Sequence, residues 1–113
     1  MSRDSAYLLD ILLYAQDVQD FTKEMDKEIF LSDHKTQSAV IRCLEVMGEA
    51  AKRLSPIVKE TYPDISWSKI ARMRDLLIHA YARVDLEKVW DTVKNDIPTL
   101  ISILKPLIPP EEK

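Results

Sequence analysis

Glycine occurs once in the 113 residues, at Gly48, and cysteine once, at Cys43. Hairpin turns draw on Gly and Asn in left-handed conformations, so a chain this poor in glycine reads as all-α rather than as a set of β-hairpins. A single cysteine excludes an internal disulfide and fits a reducing cytoplasm. Beside Leu44 on a helix face, Cys43 reads as a small buried hydrophobe rather than a nucleophile. Long apolar runs are missing too. Ala6 to Leu9 and Ile11 to Ala15 are separated by Asp10, and neither approaches the length needed to span a bilayer. No basic segment followed by an apolar stretch opens the chain, so export is not expected; the reading is a cytoplasmic protein with no membrane partner. A basic surplus is also lacking: the formal charge is −3, which argues against coating nucleic acid by bulk electrostatics. No His, Cys and carboxylate cluster has metal-ligand spacing, no Gly-rich phosphate loop exists and no Ser-His-Asp set stands out, so no cofactor is expected.

What is present is amphipathic helix. The length fits one domain, residues 1–113, able to bury about two thirds of its unfolded surface. Leu8, Ile11, Leu12, Ala15, Val18 and Phe21 make one side of a first helix expected to run from Asp4 or Ser5 towards Phe30. Asp33 is a cap for a second helix striped by Val40, Leu44, Met47, Ala51 and Leu54. Ser55 and Pro56 start a short helix that Pro63 closes. Ser66 caps a further helix, and Asp85 caps the last, whose stripe runs from Leu86 and Trp90 to Leu104. Pro98 should kink or divide that last helix, and 106–113 reads as a frayed tail. Short loops make an up-and-down bundle of four main helices plus a short one the expected architecture.

The helix after Ser66 breaks its own pattern. Trp67, Ile70, Ala71, Leu77, Ile78 and Tyr81 form a core-facing stripe whose centre is Arg74. A charge there costs several kcal/mol unless it is paired or faces water in a cleft, by the roughly estimated penalty for burying an ion. Around it the segment is locally basic: Lys69, Arg72, Arg74 and Arg83 stand against Asp75 alone. Such a face permits a phosphate-bearing partner. Gly48 within the second helix costs about 1 kcal/mol relative to alanine, which points to a close approach by another backbone, of this chain or of a second copy. Glu45 and Glu49 flank the glycine. Either supplies a carboxylate for Arg74, or both are solvated surface acids.

Arg74, His79 and Tyr81 together carry a chemistry. Histidine exchanges a proton near neutral pH, and arginine offers a planar, permanently charged fork for phosphate oxygens. The pair suffices to cleave RNA without a metal, through attack of a 2′-hydroxyl on the adjacent phosphorus. Five residues correspond to 500° of helix, so positions 74 and 79 diverge by about 140° on an ideal helix. Either the helix loosens near His79 or a second protomer supplies part of the site, and a two-fold homodimer would gather two copies of each residue in one cleft. The bare Arg-x4-His spacing arises easily by chance; the tyrosine two residues on makes the set far rarer.

The run Trp67-Ser-Lys-Ile-Ala-Arg-Met-Arg74-Asp-Leu-Leu-Ile-His79-Ala-Tyr81 resembles the signature of the HepT-like HEPN toxins. Arg42-Cys-Leu-Glu45-Val-Met-Gly48-Glu49 is similar to that family's second helix, and Val84-Asp-Leu-Glu-Lys-Val-Trp90 with Asp96-Ile-Pro98 to its last. The resemblance covers nearly the whole chain. It implies a HEPN-like helical dimer, an RNA-cleaving cleft lined by Arg74 and His79 of both copies, and a minimal nucleotidyltransferase antitoxin of the MNT type as partner. It further implies silencing by AMP transfer to Tyr81, whose adduct Arg74 or Arg83 would stabilise. Asp75 departs from the family, which more often has Asn after the arginine; an acid there would compete with phosphate for Arg74. Two functional expectations follow. One is a metal-independent endoribonuclease acting as the toxin of a toxin–antitoxin pair. The other is a non-catalytic HEPN dimer that docks the nucleotidyltransferase. A third, structural reading has Arg74 simply salt-bridged to Glu45 or Glu49.

Overall fold

Short polar side chains punctuate the helices. Asp26 accepts a hydrogen bond from the Ile29 amide at 2.9 Å, and Asp33 accepts one from the Thr36 amide at 3.1 Å. Each satisfies an amide that the helix itself leaves unbonded. The computed structural model describes residues 3–79 and 84–108, with no strand among them. Helix α1 spans Arg3–Thr22, α2 Lys27–Ser32, α3 His34–Arg53, α4 Pro56–Thr61 and α5 Trp67–His79. After Asp85 come α6 (Leu86–Asp91), a π turn (Thr92–Asp96), α7 (Ile97–Leu104) and a 3-10 turn (Lys105–Leu107). The all-α bundle expected from the glycine-poor sequence, HEPN-like as the resemblance implies, is the observed architecture.

Helix α3 is the axis of the bundle. Helices α1 and α5 both pack along it, and α7 closes against α1. Val40, Leu44, Met47, Ala51 and Leu54 are all buried, as are Leu8, Ile11, Leu12, Ala15 and Val18 of α1. Cys43 lies among them, and burial pushes its thiol up to about 11, so at neutral pH it is a packing group.

Two expectations need correction, and a third holds. The first helix does not reach Phe30: it ends at Thr22, because Asp26 caps a new helix and the Met25 amide turns back to the Thr22 carbonyl. Phe21, expected in the core stripe, is therefore on the last turn and exposed, while Phe30 on α2 is fully buried. The Phe30 ring lies 5.1 Å from that of Trp90, and the Phe30 carbonyl accepts from the buried Gln37 side-chain Nε2 at 2.9 Å. Second, the chain stays packed past Pro106: Ile108 is buried, and 109–113 lie outside the described residues. The last helix is divided at Pro98 as expected. Proline lacks an amide hydrogen and its ring crowds the carbonyl four residues back, at Lys94; the ladder widens into the π turn, whose Ile97 amide reaches the Thr92 carbonyl.

Helix α4 is tied from a distance. Ser55 stands at its N-cap with Pro56 following, but the hydroxyl makes no cap bond to the helix. Ser55 instead donates through both its amide (3.0 Å) and its hydroxyl (2.6 Å) to the Asp4 carboxylate of α1. These bonds hold the Asp4 carboxyl below the usual carboxylate range.

Removing Phe30 tests the corrected core. Phe30→Ala should destabilise the domain by about 3–5 kcal/mol, the usual range for deleting a buried aromatic. Urea unfolding followed by circular dichroism reads this as a lower midpoint; an unchanged midpoint would mean that α2 is not part of the core.

Candidate functional site

Arg74 sits where the stripe of α5 turns onto α3, and it is there because Gly48 leaves room. A Cβ added at Gly48 would collide with the Arg74 Cβ, and would stand 3.0 Å from both the Arg74 Cγ and the Ile70 carbonyl oxygen. The close approach inferred from the glycine is thus made by α5 of the same chain. The guanidinium then bends towards the edge of the α3–α5 contact. Its Nη2 forms an ion pair with Glu49 Oε2 at 3.1 Å, and its Nη1 donates to Asp75 Oδ1 at 3.2 Å.

The ion pairs continue outward on both sides. Glu49 Oε1 accepts from Arg53 Nε at 3.0 Å, one turn along α3, and Asp75 Oδ1 accepts from Lys52 Nζ at 2.8 Å. The result is an alternating chain Arg53, Glu49, Arg74, Asp75, Lys52 across two helices. Arg74 is its least exposed member, with 27% of its side-chain surface accessible against 38% for Glu49 and 42% for Asp75. The Lys52 hydrogen bond first, and that of Arg74 second, hold the Asp75 carboxyl below its ordinary range. Asp75 is therefore shared between two cations, and Lys52 makes the shorter contact. Of the two acids flanking Gly48, Glu49 pairs with Arg74; Glu45 makes no ion pair among the described residues.

Position 79 is the last residue of α5, and the helix remains α through it. The backbone therefore provides no loosening that would swing position 79 towards position 74. Tyr81 and Arg83 lie outside the described residues. Sequence reasoning missed the Lys52 and Arg53 ends of the chain of charges. The signal was present in the i, i+4 spacing of Glu49 and Arg53, whereas the Lys52–Asp75 pairing depends on how α3 meets α5.

A separate cleft of about 160 Å³ opens on another flank of α5, between it, the π turn and α7. Leu44, Met47, Ile70, Met73, Leu100 and Ile103 line it, with Lys69 and Asp96 at its edge, bridged at 2.9 Å. Glu49, Arg74 and Asp75 do not line it, and its walls offer mostly apolar surface, so the chain of charges is the stronger candidate for chemistry. No group of three or more His, Cys, Asp or Glu able to hold a metal occurs among the described residues, and none of the helices there is long and apolar enough to cross a membrane.

The Gly48 contact makes a sharp prediction. Alanine improves helix propensity by about 1 kcal/mol, yet at position 48 it must push α5 away from α3, with an overpacking cost of about 1–3 kcal/mol. Gly48→Ala should therefore lower the thermal midpoint. A raised midpoint would show that the two helices are not in this contact.

Comparison with known proteins bears on the chain's family. The family model described as ribonuclease HepT-like matches residues 11–107. The chain is 51% identical over 94 residues to a protein of Thermococcus cleftensis named "Probable ribonuclease HepT", an alignment covering 83% of this chain and 86% of the relative. It is 48% identical over 95 residues to a "Putative RNase" of Methanocaldococcus jannaschii, covering 84% and 82%. A "Putative RNase" of Caldanaerobacter subterraneus is 33% identical over 112 residues, 99% of this chain and 100% of that one. No solved structure matches. With the model spanning all but the ends of the chain and these identities over most of its length, the protein belongs to the HepT-like ribonuclease family.

Proposed function

We propose that the protein is a metal-independent endoribonuclease, the toxin of a toxin–antitoxin pair, with Arg74 and His79 as its catalytic residues. The observation that carries this reading is the half-buried Arg74 guanidinium, fixed at the α3–α5 edge by Glu49 and Asp75. Arginine presents five N–H donors. A guanidinium anchored through two of its nitrogens is pre-oriented for phosphate at little entropic cost. His79 moves a proton: the RNA 2′-hydroxyl loses its proton and attacks the neighbouring phosphorus, the 5′-oxygen leaves and is protonated, and a 2′,3′-cyclic phosphate results. Arg74 stabilises the negative charge that builds on the phosphoryl oxygens.

Positions 74 and 79 diverge on a helix that stays regular through His79. A homodimer answers this, with His79 of one copy brought to Arg74 of the other across a two-fold cleft. The partner in the pair is an MNT-type nucleotidyltransferase that silences the toxin by transferring AMP to Tyr81. The adduct adds a bulky, charged group to the cleft and excludes RNA, and Arg83 offers its phosphate a further cation. Asp75, shared with Lys52, tempers Arg74 without removing its charge.

A second reading has a specific observation behind it. Two carboxylates on one guanidinium also describe a structural ion pair, as expected of a HEPN dimer that only docks the nucleotidyltransferase. Cleavage separates the two. Purified protein in EDTA should cut RNA to cyclic phosphate ends, and His79→Ala should abolish this by at least the roughly hundredfold expected of a general acid–base group. Arg74→Ala should lose cleavage likewise. A large stability loss in Arg74→Ala, beside a wild type that leaves RNA intact, would favour the docking module. Tyr81 is tested separately: a cognate nucleotidyltransferase with ATP should add one AMP mass to the wild type and none to Tyr81→Phe, and unchanged labelling of the variant would move the acceptor elsewhere.

A further inference from the structure

The alternating charges do not stop at Arg74. Glu49 holds two guanidiniums at once, Arg74 through one carboxylate oxygen and Arg53 through the other. The two arginines therefore stand no farther apart than two ion-pair contacts and a carboxylate, a separation on the scale of neighbouring phosphates along an RNA strand. They differ in setting. Arg74 is tucked in at 27% exposure, whereas Arg53 is at 53% and open to solvent. The start of α1 is held at this end of α3 by the Asp4–Ser55 hydrogen bonds, and there the Arg3 guanidinium lies 5.7 Å from the centre of the Tyr7 ring. Arg74 on α5, Arg53 on α3 and Arg3 on α1 thus come from three adjoining helices.

The charge balance there is unlike that of the whole molecule. Arg3, Lys52, Arg53 and Arg74 stand with three acids, Glu49, Asp75 and Asp4, the last held by Ser55. An otherwise acidic protein here has one positive charge more than negative ones, with a partly exposed tyrosine ring among them. Cations tracking a backbone, interleaved with an aromatic face, are what single-stranded nucleic acid binds.

We propose that Arg53 and Arg3 form a phosphate-binding strip for single-stranded RNA, which leads the strand to Arg74. The proposal rests on the ribonuclease reading for its ligand. In it, Glu49 is a positioning residue: it fixes the spacing of Arg53 and Arg74 and touches no RNA. Contacts to phosphate carry no sequence information, so the strip sets affinity and direction rather than target choice.

The test measures binding of a short labelled oligouridylate, in EDTA, by His79→Ala protein over a range of salt. Adding Arg53→Gln should weaken binding about fivefold at about 0.1 M salt and lower the slope of log affinity against log salt by about 0.7, the loss of one phosphate contact on a single strand. Arg53→Lys should restore most of the slope, since it keeps the charge, and thermal midpoints confirm that each variant is folded. An Arg53→Gln titration superimposable on its parent overturns the strip, as does a parent protein that does not bind the RNA. Cleavage by the wild type is followed in parallel. If it cuts RNA while Arg53→Gln binds unchanged, the strip alone fails. A changed slope beside an inert wild type sinks the ribonuclease and leaves the strip standing.

Discussion

The contact between Gly48 and Arg74 is the constraint on which the site depends. Two helices meet backbone to side-chain stem where any β-carbon on α3 would intrude, and the core on either side is apolar and close-packed. The arginine has its first carbons wedged in that contact and only its charged end free to reach the edge, the usual compromise of a long cationic side chain. Its position is set by steric fit, and its orientation by Glu49 and Asp75. One glycine thereby joins the packing of the bundle to the placement of its central charge.

Most of the fold was legible because helix caps and apolar periodicity are local. Asp33, Asp85 and the stripe from Val40 to Leu54 needed no knowledge of tertiary structure, and α3 follows from them. The first helix reads too long from the sequence because nothing in the apolar spacing between Val18 and Phe30 marks a stop; Asp26 does so through a single side-chain bond. The π turn shows a similar limit. Pro98 announces a disturbance, but whether the ladder kinks or widens depends on what α7 packs against. At the site, Arg74 was conspicuous as a charge inside an apolar stripe, and Gly48 as a glycine inside a helix. That the two anomalies are halves of one contact is a fact about how α3 and α5 cross, which no single-helix pattern contains.

Opposed demands meet along the chain of charges. A cation intended for phosphate must be accessible and unsatisfied enough to accept a ligand, while a cation in a helix contact must be compensated. Sharing resolves this in part: Asp75 divides itself between Lys52 and Arg74, and Glu49 between Arg53 and Arg74, so no acid neutralises the central arginine alone. The outer cations stay on the exposed side, where solvent screens them and their contribution to stability is small.

The tie between Asp4 and Ser55 has a consequence for the order in which the chain assembles. It spans 51 residues, whereas the turns within α1, α2 and α3 close over a few. Two hydrogen bonds at a partly exposed carboxylate are a poor return for closing so long a loop, and the closure becomes favourable only once α1 and α3 have already docked along their apolar stripes. Helix α4, whose residues are never fully buried, is thus anchored late, by a bond that reports the completed α1–α3 pairing.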